Sequence, residues 1–286
     1  MTSAMQAALV GGVVAAAAAA LWLRLRQRDS SKTLSPNLPI QVCGPPHPEW
    51  KPGEKQPLPF ASGVAGMRAI DPKKVATNYP LVISAYVPRP VAFACSISDD
   101  GVRNLAPFSY SGAVGHDPPA IMLSVCRKGS GGPTKDTLNN ILSTKEFTLN
   151  MMSEWFIEAA NHCCVNAAPE VDEMDLAGLT PSPSLLVKPP RVAEAGVQME
   201  CRLIHTYDLC NAKGAVNSTV LIGEVVMWHV HEELLDETGS NPKVRFEKYR
   251  PITRLGGNWY GCTDRIFELP RADRPADGRA PAVAAK

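Results

Sequence analysis

Arg89-Pro90-Val91-Ala92-Phe93-Ala94-Cys95-Ser96-Ile97-Ser98 runs through Asp99-Asp100-Gly101 into Asn104-Leu105-Ala106-Pro107-Phe108-Ser109-Tyr110. Residues 91–98 are small, aromatic or β-branched, the composition of a buried strand. Asp-Asp-Gly supplies the turn, and a second strand follows. That second strand is irregular. Asn104, Pro107 and Ser109 interrupt it, and proline is confined to sheet edges and bulges because it cannot donate to the ladder. A polar, bulged strand beside a regular one fits backbone amides turned toward a ligand. It fits equally an edge hairpin that ends badly, and these residues alone leave both readings open.

Outward from the hairpin, Ala120–Cys126 reads as a short buried strand. The loop Arg127-Lys128-Gly129-Ser130-Gly131-Gly132-Pro133-Thr134 then leads through Lys135-Asp136 into a helix over Thr137–Ser143. Asp136 is the expected N-cap. A glycine-rich basic loop entering a helix suits an anion, because free amides and the helix dipole favour negative charge there and Arg127 and Lys135 add their own. The competing reading is a solvated loop with an ordinary cap. Glu146–Met151 is expected as a strand and Ser153–Cys164 as a helix capped by Ser153.

Val197–Leu209 and Thr219–His231 read as long strands, which suit a small closed barrel better than a sandwich. Strands are many and helices few, so the class is mainly β. A Rossmann domain is disfavoured, since no strand leads through Gly-x-Gly-x-x-Gly into a helix. The cluster Asp172, Glu173, Asp175 reads as a solvated turn, and His229 and His231 as exposed at the barrel mouth. Cys163-Cys164 beside His162 lacks the spacing and second ligand pair of a metal clip, so no metal is expected.

The 286 residues carry a formal net charge of +1, which argues against nucleic acid as the main partner. The eight cysteines show no regular disulfide spacing and read as reduced thiols. Four parts are expected: an apolar segment over residues 1–28, a proline-rich linker over 29–70, the domain over 71–270 and a disordered tail over 271–286. Ala7–Leu23 is uncharged, and Arg24, Arg26 and Arg28 follow it. As a helix it spans roughly 25 Å, marginal against a bilayer core of about 30 Å. The charge pattern would anchor the chain in a membrane with the domain facing the cytosol. A mitochondrial presequence, a cleaved signal and a soluble Ala-rich helix are the alternatives.

The run Arg-Pro-Val-Ala-Phe, Asp-Gly, Asn-Leu-Ala-Pro-Phe-Ser-Tyr resembles the flavin reductase-like family of FMN-binding split barrels, which includes the flavoredoxins. Asp117-Pro118-Pro119, Lys135-Asp136-Thr137, Gly223-Glu224-Val225-Val226 and Arg254-Leu255-Gly256-Gly257 with Tyr260 fall in the family's order, over residues 79–270. The resemblance implies a Greek-key split barrel of the six-stranded type, here behind an N-terminal apolar helix, with FMN as cofactor. It implies that Lys135 and Thr137, with Arg127, hold the FMN phosphate. It further implies that the backbone of Ala106, Pro107, Phe108 and Ser109 meets the ring edge, and that Cys95, Ser96, Asn104 and Tyr260 belong to the flavin surroundings. Cys95 replaces a usual hydroxyl and Phe93 a usual tryptophan. The first change removes a hydrogen bond of roughly 1 kcal/mol.

By resemblance the flavin lies between two subunits of a homodimer, NADH or NADPH is the electron donor, and the acceptor is unidentified. No side chain is expected to act as a catalyst, since the ring carries the redox chemistry. Two functions are expected: an FMN-dependent oxidoreductase, or a non-catalytic membrane-tethered module binding flavin or tetrapyrrole.

Overall fold

The computed structural model describes residues 40–129 and 131–271, within the unit Ile40–Lys286. The expected N-terminal apolar helix and the tail beyond residue 271 lie outside the described residues. The expectation of membrane anchoring finds no support here: among the described residues no helix is long and apolar enough to cross a membrane, and the segment expected to anchor lies outside them.

The main sheet has seven strands: β1 (Ala92–Ile97), β2 (Arg103–Phe108), β3 (Ser111–His116), β4 (Pro119–Cys126), β5 (Glu146–Met151), β6 (Val197–Cys210) and β7 (Val216–Val230). Their order is β2-β1-β5-β6-β7-β4-β3, antiparallel throughout. The two outermost strands, β2 and β3, are joined by Ser109 and Tyr110 alone. With about 3.8 Å between consecutive Cα atoms, that link holds the two edges within roughly 11 Å. The sheet must therefore curl on itself. The Ser124 amide donates to the Tyr110 carbonyl at 2.8 Å, drawing the link onto β4. This mainly-β sheet with few helices has one strand more than expected, because Ser111–His116, which was not expected as a strand, forms the second edge.

β1 is buried on both sides, which explains its unbroken apolar run. Ala92 and Ala94 face the inner core with Phe108, Leu123, Phe147, Leu149 and Leu221. Phe93 and Cys95 face the outer core with Leu105, Phe156, Cys163 and Met174. The period-2 alternation of a strand separates the two sets. Gly223 in β7 leaves room for the Phe147 ring, since a Cβ there would lie 2.4 Å from Phe147 Cζ.

Among the described residues five α-helices complete the frame: α1 (Tyr79–Ala85), α2 (Asp136–Thr144), α3 (Ile157–His162) and the short α4 (Glu173–Leu176) and α5 (Phe246–Tyr249). α2 buries Leu138 and Ile141 in the inner core and ends at Lys145, whose φ of 63° is left-handed. The expected helix over 153–164 is divided. Glu154–Phe156 forms a 3-10 turn before α3, and Ser153 makes no side-chain cap. Arg250 fixes that turn through its 2.7 Å ion pair with Glu154. Gln41–Cys43 pairs in parallel with Arg265–Phe267. All eight cysteines are free thiols.

Candidate functional site

Edge strand β2 and the start of α2 enclose a cavity of about 130 Å³ lined by Asn104, Ala106, Pro107, Phe108, Lys135 and Thr137. The Leu105 amide donates outward to the Glu173 carboxylate at 3.0 Å. By antiparallel alternation, residue 107 also faces away from β1, and proline is the residue that gives up nothing there. The same alternation turns the amides of Ala106 and Phe108 into the ladder with β1. The carbonyl of Pro107 is left on the open side.

Asp136 was expected to cap α2, but it is the first helical residue. Lys135 is the N-cap, with extended backbone and no side-chain cap bond. The Asp136 carboxylate instead pairs with Lys128 Nζ at 3.8 Å. The opening turn thus retains donors without a side-chain acceptor. Beside them, Asn104 Nδ2 donates to Thr137 Oγ1 at 2.7 Å, and both side chains are buried. A hydroxyl that accepts from an amide keeps its own proton for another acceptor. Lys135 Nζ stands 5.8 Å from the Phe108 ring centroid, and no carboxylate lies within 4.0 Å of it among the described residues. The cavity is therefore lined by a cation and a hydroxyl beside the uncapped start of α2, a set of groups suited to an anion.

A second cavity, of about 260 Å³, shares Pro107, Phe108 and Lys135 with the first and reaches Ser109, Arg89 and Arg254. Arg89 is 2% exposed. Its guanidinium donates to the carbonyls of Ile83 (2.7 Å), Tyr86 (2.6 Å) and Leu255 (3.0 Å), and its Nε approaches Ser109 Oγ at 3.4 Å. One side chain thus ties α1, the loop after Arg254 and the end of the edge strand together.

Other candidate residues lie elsewhere. Cys95 is fully buried in the outer core, and burial pushes its thiol far up. Ser96 is buried and accepts from Asn140 Nδ2 at 3.2 Å. Arg127 turns to Thr219 Oγ1 at 3.1 Å, with its Nη1 buried without a partner. Tyr260 donates to Asn161 Oδ1 at 2.8 Å under the Arg254 guanidinium, 4.4 Å from its ring centroid. None of these four lines either cavity.

The acidic cluster is not a solvated turn. Arg103 pairs with Asp172 and, at 2.8 Å, with Asp175. Asp172 caps α4 through the amides of Met174 and Asp175. Glu173, buried against the Leu105 amide, lines the first cavity, and burial raises its carboxyl above the usual range despite that bond. His229 is not exposed at a barrel mouth either, for its Nε2 lies 2.7 Å from the fully buried Glu200. Sequence reasoning passed over Arg89 and Glu173. The signal for Arg89 was a cation set between prolines at the head of a buried strand; Glu173 had none beyond its acidic neighbours.

The model for the flavin reductase like domain matches residues 84–249. A protein of Aquifex aeolicus is 42% identical over 187 residues, 64% of this chain and 89% of that protein. Nearly all of that bacterial relative is thus matched by a part of this chain, and the match gives no support to a membrane anchor. Among solved structures, nitrilotriacetate monooxygenase component B from Bacillus cereus is 36% identical with a TM-score of 0.67, covering 71% of this chain and 98% of its own. A flavin reductase with a split-barrel domain from Shewanella frigidimarina has a TM-score of 0.59 at 20% identity, covering 70% and 96%, a likeness of fold. The seven-stranded sheet closed at Ser109-Tyr110 is a split barrel.

Proposed function

The chain belongs to the flavin reductase-like family, and from that we propose that it is an FMN-dependent oxidoreductase passing reducing equivalents from NADH or NADPH to a further acceptor. The observation that carries this reading is the convergence of Lys135 Nζ, Thr137 Oγ1 and the uncapped start of α2 on one cavity beside the edge strand. These residues fit a phosphate. Among the described residues Lys135 has no carboxylate within 4.0 Å, Thr137 retains a proton to donate, and the opening turn of α2 has no side-chain cap bond.

In this reading Lys135 neutralises the phosphate and Thr137 orients it. Asn104 holds the Thr137 hydroxyl in the accepting role that leaves its proton free. Pro107, Phe108 and Ser109 form the wall along which the ring lies, with the Pro107 carbonyl as an acceptor for a ring N–H. Flavin bound there would accept a hydride from reduced nicotinamide and release electrons to the acceptor. The reading carries the family's homodimer with it. Half-exposed Trp228 and Phe246 beside an apolar groove of about 380 Å³ support a second copy covering that face.

The test is anaerobic addition of NADH or NADPH to the FMN-loaded protein, read as flavin absorbance. Bleaching within seconds is expected. A protein that binds FMN and stays yellow with both nucleotides refutes the enzymatic reading, and one that binds no FMN refutes the site.

A further inference from the structure

One wall of the proposed phosphate seat carries a charge of the wrong sign for its occupant. Glu173, the first residue of α4, lines the cavity together with Lys135 and Thr137 and is 7% exposed. Its Oε2 accepts from the Leu105 amide at 3.0 Å. That amide belongs to an edge strand and has no ladder partner on its outer side, so a carboxyl from α4 completes it. Arg103 of the same strand pairs with Asp172 and Asp175. No cation lies within 4.0 Å of Glu173 among the described residues, Lys135 included. A buried carboxyl without a cation and a lysine without a carboxylate thus line one small space and do not pair with each other.

The surrounding groups do not hold Glu173 as an anion. On its own helix stand Asp172 and Asp175, both paired with Arg103 of β2. From α2 and the loop before it come Lys135 and Asp136, and Asp136 has Lys128 at 3.8 Å to keep it ionised. At the end of α3, the Cys163 thiol donates to the Glu173 carbonyl at 3.5 Å, and burial pushes it up to about 12. Burial also raises the neighbouring thiols of Cys164 and of Cys95 in β1, so all three stay neutral. Burial raises the Glu173 carboxyl above the ordinary 4.5; the Leu105 amide opposes that rise, and Asp136 and Asp172 add to it. A phosphate dianion brought into the same cavity adds like charge and raises it further.

We propose that FMN enters this seat together with one proton, taken from solvent by Glu173 on the oxygen that the Leu105 amide does not hold. This rests on the flavin reading above, because the phosphate of FMN is the anion that drives the uptake. Neutral, Glu173 no longer repels the phosphate, and its O–H can donate to an acceptor. Ionised, it works against Lys135. The linkage is reciprocal, so a phosphate that favours the proton is itself favoured by it. The gain in affinity is present at low pH and is lost as pH rises through the value that Glu173 has in the complex. Flavin is therefore released more readily on the alkaline side, and riboflavin, which has no phosphate, does not share the effect.

The test is calorimetric titration of FMN and of riboflavin into the full chain, in buffers of different ionisation heat, which counts the protons taken up on binding. At about pH 7, above the second ionisation of a phosphate monoester near about 6, FMN should take up about half a proton or more and riboflavin none. Glu173→Gln keeps an acceptor for the Leu105 amide and cannot take the proton, so it should abolish the uptake. FMN affinity of the variant relative to the native chain should rise by about tenfold or more between about pH 6 and about pH 8. If the variant fails to fold, the native chain still decides, because riboflavin taking up as many protons as FMN overturns the proposal. Binding of FMN without proton uptake overturns it and leaves the flavin reading standing. Uptake that survives in Glu173→Gln places the proton elsewhere and overturns it as well. A chain that binds no FMN at any pH in that range removes both.

Discussion

Replacing Lys135 with alanine isolates the charge on which the site depends. Among the described residues its ammonium has no carboxylate within 4.0 Å, and it stands 5.8 Å from the Phe108 ring centroid. A phosphate arriving there breaks no existing ion pair. Losing one charge-assisted hydrogen bond to such a phosphate costs about 1.5–3 kcal/mol. At about 1.4 kcal/mol per tenfold, FMN affinity should fall roughly ten- to hundredfold. The assay is quenching of flavin fluorescence on titration with protein, run with FMN and with riboflavin, which has the same ring and no phosphate. The variant should weaken FMN by that factor and leave riboflavin within about twofold, since the cycle of residue and phosphate isolates their coupling. Thermal melting checks that the variant folds. Equal loss for both ligands would mean that Lys135 shapes the cavity without reading the phosphate. No loss for either would refute the assignment.

Thr137→Val removes the acceptor of the buried Asn104 amide, and leaving that amide unpaired should cost about 1–3 kcal/mol in urea unfolding while also weakening FMN. Gly223→Ala drives a methyl toward Phe147 Cζ, 2.4 Å away, and should destabilise by about 1–3 kcal/mol, with Phe147→Leu in the same chain recovering part of the loss. Burial would raise the Glu200 carboxyl, but the amides of Leu185 and Leu186 and the His229 ring outweigh it and hold it below the ordinary 4.5. A depressed carboxyl stabilises the fold above its unfolded pKa, and that contribution is lost as pH falls through the folded value. Urea unfolding free energy should therefore fall as pH drops below about 4.5, and Glu200→Gln should flatten that slope while lowering stability at neutral pH. An unchanged slope in the variant would remove Glu200 from the acid response.

Much of the frame was legible because it is local. The small and β-branched run over 91–98 is a strand buried on both faces, and a glycine-rich basic loop does enter α2. Element edges were less legible. Whether Asp136 caps α2 or opens it turns on its pairing with Lys128, which local propensity does not encode. The acidic cluster and His229 were misread for one reason. Each looked solvated along the chain, and each found a distant partner: Asp172 with Arg103, Glu173 with the Leu105 amide, His229 with Glu200.

The chain alone, then, determined a mainly-β class, a glycine-rich basic loop entering a helix and an irregular edge strand, because neighbours within a few residues create them. Only the closed sheet decided that Lys135 and Thr137 share a cavity with Asn104, that Cys95 and Arg127 do not line it, and that Arg89, Lys135 and Arg254 surround a second space. Burial and charge pairing depend on which segments meet when two edges joined by Ser109 and Tyr110 curl together, and no stretch of sequence read by itself contains that encounter.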